Sequence, residues 1–200
     1  MAREAGTPAD KDIRSSILDT AVELFYQNGY SATGVQQVVE AAGCTKGAFY
    51  HYWSSKEQLL LEIHDTFHRY AIARGREILE KNLPPGEALH AIVVELFRQL
   101  ERYRKHMTVV FHQARYTPYA KYPESKALRD EYESIVKSII EAGVKSGEFR
   151  SDIPRTNVMA YGVMSFSSWA TNWYDPDGPM TAEEIGDLFG RVIVDGLRAK

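Results

Sequence analysis

Between Thr45 and Lys56 the chain offers a hydroxyl, two ammoniums, a phenol and an imidazole: Thr45, Lys46, Tyr50, His51 and Lys56. Lys46 can donate to a guanine edge or to a phosphate. The Ala48 methyl can touch a thymine methyl, and Gly47 and Ala48 together let a backbone come close to DNA. Tyr50 and His51 can donate to phosphates. Lys56 falls in the first turn of a following helix, where unpaired backbone N–H groups also favour a phosphate. Thr33 and Gln36 complete the candidate set of DNA contacts. Phe49 and Trp53, four residues apart, fall on the opposite face and belong to a core.

These side chains need short helices to hold them. One runs from Val35 to Ala42, with Gly34 as a weak N-cap and Gly43 as its stop. A second runs from Lys46 to about Trp53, capped by Thr45. The link Ala42-Gly43-Cys44-Thr45 is a short turn containing Gly, which is helix-turn-helix geometry. A preceding helix, Ile13 to Asn28, places Ile13, Ile17, Ala21, Leu24 and Phe25 at steps of three and four. Ser54 or Ser55 then opens a long helix, each with Glu57 or Gln58 at capping-box spacing. It carries Leu59, Leu60, Ile63, Phe67, Tyr70 and Ile78 and ends before Pro84. Further apolar stripes predict helices from Pro85 to about Leu100, Glu124 to Lys145, Pro154 to about Tyr174, and Thr181 to about Leu197. Lys105 to Pro123 reads as less regular, with Pro118 as a breaker. No stretch alternates with period two, so the fold class is all-α, with about nine helices. Residues 1–55 are expected to form a three-helix head, and 56–200 a larger helical domain.

Composition raises an objection. The 200 residues are 44% hydrophobic and 26% charged, ordinary for a globular protein. No apolar run reaches the roughly 18 residues of a membrane span, Met1 to Asp12 lacks a secretory signal, and the single cysteine fits a cytoplasmic location. The net charge of -3, however, is unusual for a partner of nucleic acid. The local count sharpens this. Residues 1–60 hold five cations against seven anions, yet residues 31–56 hold Lys46 and Lys56 against Glu40 alone. Few counterions would be released, so a modest salt slope is expected, with affinity resting on groove fit and two heads.

The string Gly43-Cys44-Thr45-Lys46-Gly47-Ala48-Phe49-Tyr50-His51-Tyr52-Trp53, followed by Ser55-Lys56-Glu57-Gln58-Leu59, resembles the DNA-binding head of the TetR family of transcriptional repressors. The likeness spans Ile13 to Leu60. It implies that Thr45, Tyr50, His51 and Lys56 hold phosphates and that Lys46 and Ala48 face bases. Three positions depart from the family pattern. Gly34 stands where a Thr is common, Val39 where Ala is frequent, and Trp53 where Phe is usual. The first puts one phosphate contact in doubt; the others are read as packing changes.

The resemblance also implies a ligand-receiving, dimerising body. Phe166, Trp173, Ile185, Phe189, Val192 and Ile193 are the candidate homodimer interface, on two amphipathic helices able to build a four-helix bundle with a second copy. The segments Trp169 to Pro179 and Thr181 to Gly186 are similar to the C-terminal domain of TetR-type repressors of fatty-acid and sterol-ring breakdown, which respond to acyl-CoA thioesters. An acyl-CoA needs an apolar tunnel and polar groups for its phosphates. Phe97, Met107, Val110, Phe111, Tyr161, Met164 and Trp169 are candidate walls. His106, His112, Arg115 and Asn172 are candidate polar contacts. A sensor of drugs or other aromatic compounds on the same fold is the alternative. A helical-bundle metalloenzyme is the other rival, although no phosphate loop, nucleophile elbow or His-Glu-x-x-His motif is present. No cofactor is expected. His64 and His68, four apart, read as an exposed helical face, and Cys44 as a small packing residue. The partners implied are a palindromic double-stranded operator and a small-molecule effector.

Overall fold

The computed structural model describes residues 8–113 and 122–199, and among these it is all helical. Eight helices follow one another: α1 (Pro8–Asn28), α2 (Val35–Ala41), α3 (Lys46–Tyr52), α4 (Lys56–Glu80), α5 (Pro85–Gln113), α6 (Pro123–Ser146), α7 (Thr156–Ala170) and α8 (Ala182–Leu197). None is long and apolar enough to cross a membrane.

The boundaries follow local chemistry. Thr45 caps α3 by accepting from the Ala48 N–H at 3.2 Å. Ser55 caps α4 by accepting from Gln58, while the Gln58 side chain accepts from the Ser54 N–H, so both serines are used. Thr181 and Glu184 form the expected capping box of α8. Gly147 ends α6 at φ 80°, a left-handed cap.

Two expectations are corrected. The stretch after Leu100 is not irregular: α5 runs on to Gln113 and absorbs a kink at Tyr103 (φ -119°, ψ 23°). That merger gives eight helices where about nine are expected. Pro118 lies outside the described residues. Helix α7 stops at Ala170, because Trp173 and Tyr174 turn back and donate to the Ala170 carbonyl.

In the head, Ile17, Ala21 and Phe25 of α1 meet Val38 and Val39 of α2, with Phe49 and Trp53 from the second short helix, all buried. Leu59, Leu60 and Ile63 of α4 extend the same core into the body. There α5 is central and packs against α1, α4, α6, α7 and α8. Its approach to α8 depends on two glycines. A Cβ at Gly186 would lie 2.9 Å from the Val94 Cα, and one at Gly190 2.6 Å from the His90 ring.

Candidate nucleic-acid interface and effector cavity

Helix α3 divides its side chains as its spacing requires. Phe49 is buried together with Trp53, while Lys46, Gly47, Tyr50 and His51 are exposed with Thr45, and Ala48 is half-buried. Gln36 is exposed nearby on α2 and donates to Glu40. One open face therefore carries an ammonium, a phenol and an imidazole around a residue without a side chain.

Two candidate contacts are placed differently. Thr33 is buried, and its hydroxyl donates inward to the Gly29 carbonyl at 2.9 Å, so its side chain does not point at a phosphate. The Lys56 ammonium is also engaged. It donates to the carbonyls of Tyr30 and Thr33, each at 2.8 Å, and lies 4.2 Å from the centre of the Tyr30 ring. Burial lowers its pKa. Lys56 thus ties the start of α4 to the turn before α2, with one N–H left over.

The departure at Trp53 is more than packing. Its indole N–H donates to Glu62 at 2.6 Å, and the other oxygen of that carboxylate pairs with Arg14. The Arg14 guanidinium also lies 5.5 Å from the Trp53 ring centre. One residue each from α1, the end of α3 and α4 closes this cluster, and a Phe at position 53 cannot supply the donor. Trp53→Phe is expected to fold but to lose about 1–2 kcal/mol, since the Glu62 carboxylate loses a charge-assisted partner. Denaturant midpoints measure this; equal midpoints would count against a role for the hydrogen bond. A second tie reaches α6, where the Tyr122 hydroxyl bonds to Glu57.

Inside the body a cavity of about 230 Å³ opens between α4, α5, α6 and α7. Four expected wall residues gather there: Met107, Phe111, Tyr161 and Met164. The others do not. Phe97 is buried against α8, its ring stacked on Phe189 at 5.5 Å, and Val110 is buried in the core. His106 faces the seam with α1, beside Asp19, Glu23 and Lys105. Burial lowers its pKa, and the Asp19 charge opposes that. Trp169, Asn172 and His112 line a neighbouring groove that shares Phe111, Ser165 and Ser168 with the cavity. Arg115 lies outside the described residues.

His68, Gln99, Arg129 and Tyr132 line the cavity without having been expected there. The reading of His64 and His68 as an exposed face is overturned. His64 is buried, bonds to Asp65 at 2.9 Å and stacks on His68 at 4.1 Å. A signal for this existed, since His64 falls four after Leu60 and three before Phe67, on the apolar stripe. Burial would raise the Asp65 pKa, but hydrogen bonds from His64 and Ser125 and the charges of His64 and Arg69 outweigh it and lower it. Among the described residues no group of three or more His, Cys, Asp or Glu is placed to hold a metal.

Of the candidate interface residues, Phe166, Trp173 and Val192 are exposed, Val192 by 60%, and Phe189 and Ile193 are half-buried. Ile185 is turned into the core of its own chain. Val158, Tyr161, Trp169 and Leu188 add to the same exposed apolar set on α7 and α8, with Trp169 70% exposed.

Residues 17–63 match the family model described as bacterial regulatory proteins, tetR family, and residues 82–197 match the tetracyclin repressor-like C-terminal domain. The chain belongs to the TetR family. It is a DNA-binding transcriptional regulator of that family. Among similar proteins is the HTH-type transcriptional repressor KstR2 of Rhodococcus jostii, 30% identical over 188 residues, covering 92% of this chain and 90% of the relative. The solved TetR-family regulator PfmR from Thermus thermophilus superposes with a TM-score of 0.80 at 32% identity, covering 92% of this chain and 99% of that one. AibR, solved with isovaleryl coenzyme A and operator DNA, shares the fold at a TM-score of 0.76 and 24% identity, over 90% of this chain and 97% of its own.

Proposed function

We propose that the chain works as a homodimer whose two α3 helices read a palindromic operator, and that a largely apolar effector entering the body releases it. The head is taken as residues 1–55 and the effector-binding, dimerising body as 56–200. The observation that carries this reading is the open face of α3, which sets Lys46, Tyr50 and His51 around Gly47 with the hydrophobic residues on the other side. Lys46 and Ala48 read bases, while Thr45, Tyr50 and His51 hold phosphates. Gln36 adds a contact from α2, and Lys56 holds the turn that presents α2, its remaining N–H directed to a phosphate.

The effector class favoured is the acyl-CoA thioester. The 230 Å³ cavity suits an acyl end, and the groove beside it, with Trp169 and Asn172, gives the larger polar part a way out. That AibR shares this fold and was solved with an acyl-CoA supports the choice. An effector acts only through its different affinity for two states of the protein. Here α5 connects them. Past its kink, Met107 and Phe111 face the cavity, while Lys105 pairs with Glu23 of α1.

The head is tested on DNA recovered by the protein from a randomised duplex pool. Lys46→Ala should flatten base preference at a defined position by about 1–3 kcal/mol. Tyr50→Phe should weaken all sequences alike. An unchanged preference in the first would contradict base readout. The body is tested by titrating the bound duplex with acyl-CoA thioesters of graded chain length. Release is expected; release only by planar aromatic drugs would favour a multidrug sensor.

A further inference from the structure

Several polar groups of the cavity are left as hydrogen-bond acceptors. His68 Nδ1 lies 3.0 Å from the backbone carbonyl of His64. A carbonyl only accepts, so the proton of the neutral ring sits on Nδ1, and Nε2 carries a lone pair. Burial, with the neighbouring His64 charge, lowers the His68 pKa to about 4, so this neutral form persists at pH 7. No described residue gives Nε2 a hydrogen bond. The serines of α7 have committed their protons too. Ser165 donates to the Tyr161 carbonyl at 2.7 Å, and Ser167 and Ser168 donate to the Met164 carbonyl at 3.3 and 3.2 Å. Their oxygens are left as acceptors. Gln99 is buried and gives one amide N–H to the Phe67 carbonyl at 2.7 Å, which leaves its oxygen as an acceptor and one N–H as a donor. The Tyr161 hydroxyl is taken up by Glu133.

The protons still available are few. Arg129 is 53% exposed and marks the rim, the second Gln99 N–H is uncommitted, and the Tyr132 hydroxyl can rotate into either role. The remaining lining is apolar, with Phe67, Leu96, Met107, Phe111 and Met164. A plain hydrocarbon end would cover His68 Nε2 without satisfying it, which costs free energy in a buried site. A hydroxyl placed there would satisfy it.

We propose that the cavity selects an effector whose buried end carries a hydrogen-bond donor, an alcohol or a phenol on an apolar frame, seated on His68 Nε2. This rests on the cavity being the effector site. It narrows the class: a hydroxylated acyl or ring compound is preferred over its unsubstituted counterpart.

Two measurements on the full-length protein test it. The first is the tautomer of His68, read from the nitrogen chemical shifts of the labelled ring and assigned with His68→Leu. Protonated Nδ1 is expected; protonated Nε2 overturns the proposal. The second uses two isomeric fragments, 1-octanol and 1-methoxyheptane. They match in atoms, but only the alcohol can donate. Binding is followed by the methyl signals of Met107 and Met164. The alcohol is expected to bind about tenfold more tightly than the ether, and His68→Leu should erase that ratio while still admitting both. Equal binding of the two isomers to the unaltered protein would overturn donor selection and leave the cavity standing as an effector site. If neither isomer moves the methionine signals, the effector-site reading falls, and the proposal with it.

Discussion

Val192→Asp is expected to leave each chain folded, to convert the dimer to a monomer, and to cut affinity for a two-fold-symmetric DNA site by about 100-fold or more. Val192 is 60% exposed on α8, so the carboxylate costs little in an isolated chain. In a dimer it would be buried against apolar side chains with no partner, which association cannot offset. The loss on DNA follows because each head alone contributes few phosphate contacts. Residues 31–56 carry only Lys46 and Lys56 against Glu40, and much of Lys56 is spent within the protein. Sedimentation and anisotropy on the same sample check both halves. A variant that stays dimeric, or a monomer that binds as tightly, would contradict the interface.

Lys56→Ala is expected to have the next largest effect. It removes two charge-assisted hydrogen bonds, to Tyr30 and Thr33, and the cation above the Tyr30 ring. Because the ammonium is partly exposed, a stability loss of about 1–2 kcal/mol is expected. DNA binding should fall about tenfold for every sequence alike, since the turn before α2 is no longer held against the start of α4. Amide exchange across residues 30–34 separates this role from a simple phosphate contact. Faster exchange there is expected, and an unchanged turn with weaker binding would make Lys56 a phosphate ligand alone.

The two roles of Lys56 show where sequence reasoning stops. The type and spacing of Thr45, Lys46, Gly47, Tyr50 and His51 were legible because a helix only two turns long has two faces and no choice about which residues share them. The caps at Thr45, Ser55 and Thr181 were legible for a similar reason: their partners lie three residues away. Contacts that span the fold were not. Lys56 meets Tyr30 across 26 residues, and Glu62 meets both Trp53 and Arg14. Nothing local in α4 announces that Glu62 will face the end of α3.

The cavity was half legible. Met107 and Phe111, four apart, lie on one face of α5, and Tyr161 and Met164 follow on α7. Phe97 was misplaced because an apolar stripe does not say which neighbour it meets. Gly186 draws α8 close to α5 there, and a Cβ at that position would lie 3.2 Å from the Phe97 Cβ. His68 was missed because nothing local in α4 says which helix covers that side, and α6 does so.

The net charge of -3 acquires a structural meaning from these placements. Residues 1–60 hold five cations, and two of them, Lys56 and Arg14, position the head. For the proposed dimer, specific binding is then expected to come from the fit of α3 and from the spacing of two heads.

Selection of DNA by the intact protein from a randomised duplex pool, with the recovered sequences read out, tests that claim most directly. The expected result is an inverted repeat whose half-site centres lie about one helical turn, roughly 34–36 Å, apart. Recovery of single unrepeated sites, or no enrichment at all, would contradict a dimer that reads DNA through two copies of α3.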